Sequence, residues 1–221
     1  NETAGTRSLT NCKVEGCIVN NTGIYGEAYS GALICGMINI SNSTVEFNNC
    51  TYENNTKEGK YVGDLYYSAD EDITVKIDGK TVVKVSSVDE LNKLNAKNAY
   101  VILTADIDFQ GAAMTKPIEL WGNSTFDGMG HKISNVKTAV QGGYATSLFR
   151  GDANDGNKVI KNLIIENLTT PAGYDYAAAI WSDLQGANIE IENVHINTAT
   201  IEAKGTIGGF VGFVSASTTS V

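Results

Sequence analysis

Three aspartates, two histidines and one oxygen-rich loop are the groups in this sequence whose residue types could do chemistry. Asp106, Asp108 and Asp127 are carboxylates of the kind that cut polysaccharides, but such enzymes need a matched acid and base flanking one bond. Asp106 and Asp108 instead alternate with Ile107 and Phe109, as on a strand with one wet face, and Asp127 falls in a Phe126-Asp127-Gly128 turn. No lysine or arginine accompanies them as an obvious catalytic group. His131 lies in the same turn region, and His195 stands at an outward position between Val194 and Ile196, so neither has a catalytic partner in sequence. Residues 151–157, Gly-Asp-Ala-Asn-Asp-Gly-Asn, offer calcium-type oxygens, yet the glycine comes one place early for an EF-hand and no glutamate closes the loop. A plain turn is expected there. The chain is therefore expected to carry no catalytic residues, no metal and no cofactor. A polysaccharide-degrading enzyme is the rival reading, and it requires paired carboxylates along one groove.

The groups suited to binding are aromatic. Trp121 lies beside Gly122, and Tyr174, Tyr176 and Trp181 fall between Pro171 and Ser182. Exposed rings can stack on sugar rings. Trp121, Tyr174 and Tyr176 are thus the candidate glycan contacts, with packing under their own loops as the alternative. A net charge of −9 leaves nothing to neutralise phosphates, which argues against nucleic acid and anionic membranes as partners. No apolar run reaches the roughly 20 residues that span a bilayer, and there is no signal peptide or initiating Met, so the chain reads as a mature or excised segment. Cys12, Cys17, Cys35 and Cys50 match neither a zinc site nor a redox pair. They are expected as small core residues, with a disulfide less favoured.

The elements that must position these groups are repeats. A large apolar residue, any residue, Asn, then an apolar residue recurs at Leu9-Thr-Asn11-Cys12, Phe47-Asn-Asn49-Cys50, Ile133-Ser-Asn135-Val136, Ile160-Lys-Asn162-Leu163 and Ile191-Glu-Asn193-Val194. Each copy opens a strand of period two. A second motif follows at Leu33-Ile34, Leu65-Tyr66, Leu148-Phe149, Ala179-Ile180 and Phe210-Val211, where Leu148, Ala179 and Phe210 are 31 residues apart. Two columns with one period predict one coil per repeat, with like residues over like. Asn11, Asn49, Asn135, Asn162 and Asn193 are then expected as one ladder of bend residues, because Asn tolerates a left-handed backbone. Ser87-Val-Asp-Glu90 is a capping box that starts a short helix, placed to plug an open end of the coils. Ile73 to Val83 reads as a β-hairpin on Asp78-Gly79.

VDELNKLNAKNAYVILTADIDFQG, FDGMGHKISNV, SLFRG, VIKNLIIENLT and GGFVGFV together resemble the right-handed β-helix surface proteins of gut Bacteroidetes and related bacteria, including those with GLUG-type repeats. The resemblance covers residues 85 to 215. It implies a secreted or cell-surface, often adhesin-like bacterial protein of pectin-lyase-like fold whose helix caps the N-terminal end. The fold class expected is all-β: a right-handed parallel β-helix, or solenoid, with a short capping helix and a small β-hairpin. The order of parts departs from the family. Residues 1–69 resemble late coils, 70–86 a hairpin linker, and 87–221 a capping helix followed by coils. Counting from Asn193 through Val221 to Asn11 gives 28 plus 11, or 39 residues, against 38 from Cys12 to Cys50. The two ends are in phase. That predicts head-to-tail self-association, possible through Leu9, Cys12 and Val14 of one copy on Phe210 and Val211 of another; a longer tandem protein or a permuted domain explains the same match. The function expected is an extracellular structural or adhesive surface protein, with a host or microbial glycan or a surface protein as further partner.

Overall fold

The computed structural model describes residues 4–20, 35–38, 42–53, 56–58, 66–68, 72–152, 155–185 and 188–215. The fold is all-β: apart from the helix Val88–Lys93, every helix or strand described is a strand, and most pair in parallel. The chain forms two compact units, Asn1–Val82 and Val83–Val221.

In the first unit, strands Thr6–Thr10, Thr44–Asn48 and Thr74–Ile77 pair in parallel, with Leu9 opposite Phe47 and Phe47 opposite Ile77. The alternation does what period two requires. Val45, Phe47, Val75 and Ile77 are buried, while outward Glu46 and Lys76 meet at 3.6 Å. The pairs Lys13–Glu15 with Thr51–Glu53 and Ile18–Asn20 with Thr56–Glu58 keep the same 38-residue offset. The expected hairpin is present: Lys80 lies opposite Ile77, and Asp78 and Gly79 both take positive φ, 50° and 74°, as a two-residue turn of this hand needs. The cysteines depart from expectation. Cys12 and Cys17 are exposed, and Cys50 is half-buried. Cys12 continues the alternation of Leu9 and Val14, and among the described residues its row is the last.

The second unit opens on the helix. The Ser87 side chain accepts from the Glu90 amide, and the Glu90 carboxylate reaches back to the amide of Ser86 at 2.7 Å, which holds its carboxyl below the ordinary value. Leu91 and Leu94 are buried in the same core as Val101, Phe126, Ile133, Ile160 and Leu163. Rows then follow in parallel: Tyr100 opposite Thr125, Thr125 opposite Val159, and Ile133 opposite Ile165. Asn157–Glu166 is one unbroken strand that pairs with Thr125–Asp127 along its first half and Lys132–Ser134 along its second. On its other edge it pairs with Asn188–Ile196 at an offset of 31, Leu163 opposite Val194. Ile191, Val194 and Ile196 are only half-buried, whereas their counterparts Ile160, Leu163 and Ile165 are fully buried.

The asparagines hold the bends. Asn11, Asn49, Asn135, Asn162 and Asn193 all have φ between 49° and 58°, a region that excludes most side chains. Their amides are linked, but not as the single ladder expected. Asn49 donates to Asn11 at 2.8 Å; Asn193 donates to Asn162, which donates to Asp127, each at 3.0 Å. Asn135 belongs to a different column, accepting from Asn167 and donating to Asp108. The cause is the long strand: Ser134 pairs with Glu166, so Asn135 meets Asn167 and not Asn162. The second motif also shifts. The Leu148 amide donates to Ala179, but Ile180, not Ala179, faces Phe210, because Trp181 pairs with Val211 at an offset of 30. Leu33-Ile34 and Leu65 lie outside the described residues.

Replacing Asn162 by Ala removes a donor and an acceptor from one ladder and strains the backbone, and is expected to cost about 2 kcal/mol in urea unfolding. Asn162→Gly relieves the strain and not the lost hydrogen bonds, so its loss should fall between wild type and Asn162→Ala.

Candidate functional site

The acidic candidates are built into the bends. Asp106 and Asp108 point outward around buried Ile107 and Phe109. The Asp106 carboxylate accepts from the Lys132 amide and lies 3.1 Å from Nδ1 of His131. Asp108 accepts from the Asn135 side-chain amide at 2.9 Å and the Gln110 amide at 2.8 Å, and these two bonds hold its carboxyl below the ordinary value. Asp127 is not a turn residue but the end of strand Thr125–Asp127, with no solvent exposure. Its oxygens accept from the Tyr100 hydroxyl, the Met129 amide and the Asn162 side chain, and Lys161 Nζ lies 3.8 Å away. A buried carboxylate is tolerable only when satisfied in this way. His195 is exposed, with Nε2 3.2 Å from the Asn193 side-chain oxygen.

The oxygen-rich loop already holds a cation, and it is a lysine. Lys158 occupies the inward position two before Ile160 and is fully buried. Its ammonium donates to the carbonyls of Asp152, Asp155 and Gly156 at 2.7, 2.6 and 3.1 Å. Burial pushes its pKa down, against the opposing pull of Asp155 and Asp152. Among the described residues no group of three or more acidic, histidine or cysteine side chains could hold a metal ion. Lysine in a column that alternates with Ile160 was the sequence signal for this contact.

The aromatic candidates separate. Tyr176 packs between Tyr144, at 6.0 Å and 88°, and Phe213, at 5.1 Å and 31°. Trp121 lies under the Arg150 guanidinium at 5.6 Å, and Arg150 pairs with Glu119 at 3.2 Å. Tyr174 is half-buried, and its carbonyl accepts from the Lys204 amide; among the described residues no ring contact joins it to the others. Trp181 belongs to the core. Sequence reasoning missed Tyr144, Arg150 and Phe213. Gly142-Gly143, both at positive φ, form the turn that presents Tyr144, and this pair was the available signal. Burial first, then the charge and hydrogen bond of Asp183, push the Tyr144 phenol up, while Arg150 opposes them.

Compared with protein-family models, curated proteins and solved structures, the chain matches none. Among the described residues no helix is long and apolar enough to cross a membrane. Of the residues expected at a self-associating end, Leu9 and Val14 are half-buried and Cys12 is exposed in the first unit; in the second, Phe210 is 42% exposed and Val211 half-buried.

Lys158→Met leaves three carbonyls without their donor and should cost about 3 kcal/mol, read as a lower urea midpoint that calcium does not restore. The Asp108 contribution has the opposite chemistry. Its carboxyl is held low in the fold, so the stability it adds is present above the unfolded carboxylate range, about pH 4, and is lost as pH falls through the lower folded value. The difference in urea midpoint between wild type and Asp108→Asn should therefore shrink on acidification through that range.

Proposed function

We propose that the chain folds as a right-handed parallel β-helix and serves outside the cell as a noncatalytic structural and adhesive surface protein, as the repeats it resembles do. The observation that carries this reading is the register of Asn157–Glu166 on Asn188–Ile196, which sets Ile160 on Ile191, Asn162 on Asn193 and Leu163 on Val194. Such columns define stacked repeating rows with a polar outside and no need of a closed pocket. The acidic candidates fit the noncatalytic part, since each is engaged with the bends of the fold. The half-buried row Ile191, Val194 and Ile196 calls for a further row, from the same polypeptide or from Leu9, Cys12 and Val14 of a second copy stacked head to tail.

The folded chain is expected to release no new reducing ends or unsaturated products from a panel of neutral and acidic polysaccharides. Depolymerisation abolished by Asp106→Asn or Asp108→Asn would overturn the noncatalytic reading. Sedimentation over a range of concentrations decides the last step: a mass that rises with concentration supports the second copy, and a constant monomer mass removes it.

A further inference from the structure

We infer that Cys12 and Cys50 form a redox-active pair, which a low-molecular-weight disulfide such as oxidised glutathione converts to a disulfide bond joining two neighbouring rows of the first unit. The pairing follows from register and stands apart from the function proposed above; only the place where the oxidant is met, outside the cell, rests on that reading. Thr10 lies opposite Asn48 and Lys13 opposite Thr51, and the Thr51 amide donates to the Cys12 carbonyl at 3.0 Å. Asn11 and Asn49, the residues just before the two cysteines, take φ of 58° and 51° and share a hydrogen bond of 2.8 Å. Cys12 therefore stacks on Cys50 with a matched backbone, one row apart. A row spacing of about 4.8 Å lies within the Cα separation of disulfides, about 4.4–6.8 Å. The other cysteines have no such neighbour: Ile18 lies opposite Thr56, an offset that puts no cysteine beside Cys17, and Cys35 lies opposite Tyr66.

The Cys12 thiol donates to the Thr10 carbonyl at 3.7 Å. The Cys50 sulfur lies 3.6 Å from the Asn48 carbonyl and 3.5 Å from that of Leu9, in the row of Cys12. One sulfur thus already reaches the other's row. Closing the bond needs the Cys12 side chain to rotate toward Cys50 and the rows to approach by a few tenths of an ångström, since the Cβ atoms of a disulfide stand about 3.5–4.5 Å apart. Cys12 is exposed, and Leu9 and Val14 of its row are only half-buried, so both movements disturb little packing.

The exchange balances in two steps. The thiolate of exposed Cys12 attacks one sulfur of the small disulfide, forming a mixed disulfide and releasing one small thiolate. The Cys50 thiolate then attacks the Cys12 sulfur and displaces the second. Two protein thiols are oxidised, one small disulfide is reduced, and the two protons lost by the cysteines pass to the two thiolates released. The bond ties strands Thr6–Thr10 and Lys13–Glu15, whose residues are exposed or half-buried, to the row that holds buried Val45 and Phe47. A row with so little burial opens at low cost, and the bond closes it.

The test incubates the full chain in glutathione buffers of graded composition, folded and in concentrated urea, then blocks remaining thiols and maps linked peptides by mass spectrometry. A Cys12–Cys50 linkage should dominate in the folded chain. At fixed reduced glutathione it should form at about tenfold less oxidised glutathione than in urea. Amide hydrogen exchange over residues 6–15 should slow on oxidation of the wild type and stay unchanged in Cys12→Ser and Cys50→Ser, while Cys17→Ser should behave as wild type. Exchange of residues 44–48 in reducing buffer checks that each variant is folded. Linkage through Cys17 or Cys35, linkage between chains, or equal oxidation in the folded and unfolded chain overturns the pairing. A Cys12–Cys50 bond that leaves exchange over residues 6–15 unchanged overturns its role in holding the row. None of these outcomes touches the noncatalytic surface reading, which fails only if polysaccharide is cleaved.

Discussion

A strand paired in parallel on both edges can turn a corner only where one residue accepts positive φ and its side chain still finds a partner in the neighbouring row. Most residues fail the first condition, and glycine has no side chain for the second. Asparagine meets both, since its short amide carries a donor and an acceptor. Asn11, Asn49, Asn135, Asn162, Asn167 and Asn193 all take this backbone, and each exchanges an amide hydrogen bond with a row beside it. Where a column meets a carboxylate, Asp108 or Asp127, the aspartate oxygen ends the chain of donors. The register of the inward residues follows. Once the bend residues are matched, Ile160 must face Ile191 and Leu163 must face Val194.

The same constraint explains why buried charge is tolerated. Asp127 ends its strand with no exposure; Tyr100, Asn162 and Lys161 reach it from adjacent rows and the Met129 amide from its own row. Lys158 solves the reverse problem. The loop before it turns three carbonyls inward, and an ammonium in an inward column satisfies all three. Either group alone would cost several kcal/mol in an apolar interior. With their partners, both pin the loops that join rows.

Legibility in the sequence tracks how local the cause is. The Asp78-Gly79 hairpin and the Ser87 cap depend on a few adjacent residues, and both are present. The left-handed asparagines were legible from residue type and period. Which asparagines touch was not, because it depends on Asn157–Glu166 running through two columns without a break, a property of pairing and not of spacing. Cys12 shows the same limit: its column is inward, as the alternation says, but exposure depends on whether another row lies above it. The aromatic contacts were legible only in part. Trp121 and Tyr176 stand out by type, whereas Tyr144 and Phe213 join them through the offsets of 30 and 31 that bring one row over the next.

The offset steps once, from 31 to 30, and the step has its own consequence. The strand pairs Leu163 with Val194 and Leu168 with Ala199 keep 31, whereas Tyr176 with Thr206 and Trp181 with Val211 keep 30, so one residue is lost between Thr200 and Thr206. A one-residue deletion within a strand would reverse every side chain after it. Between strands it reverses nothing, because Ala177 still faces Ile207 and Leu184 still faces Val214. The bends therefore absorb length changes that the strands cannot.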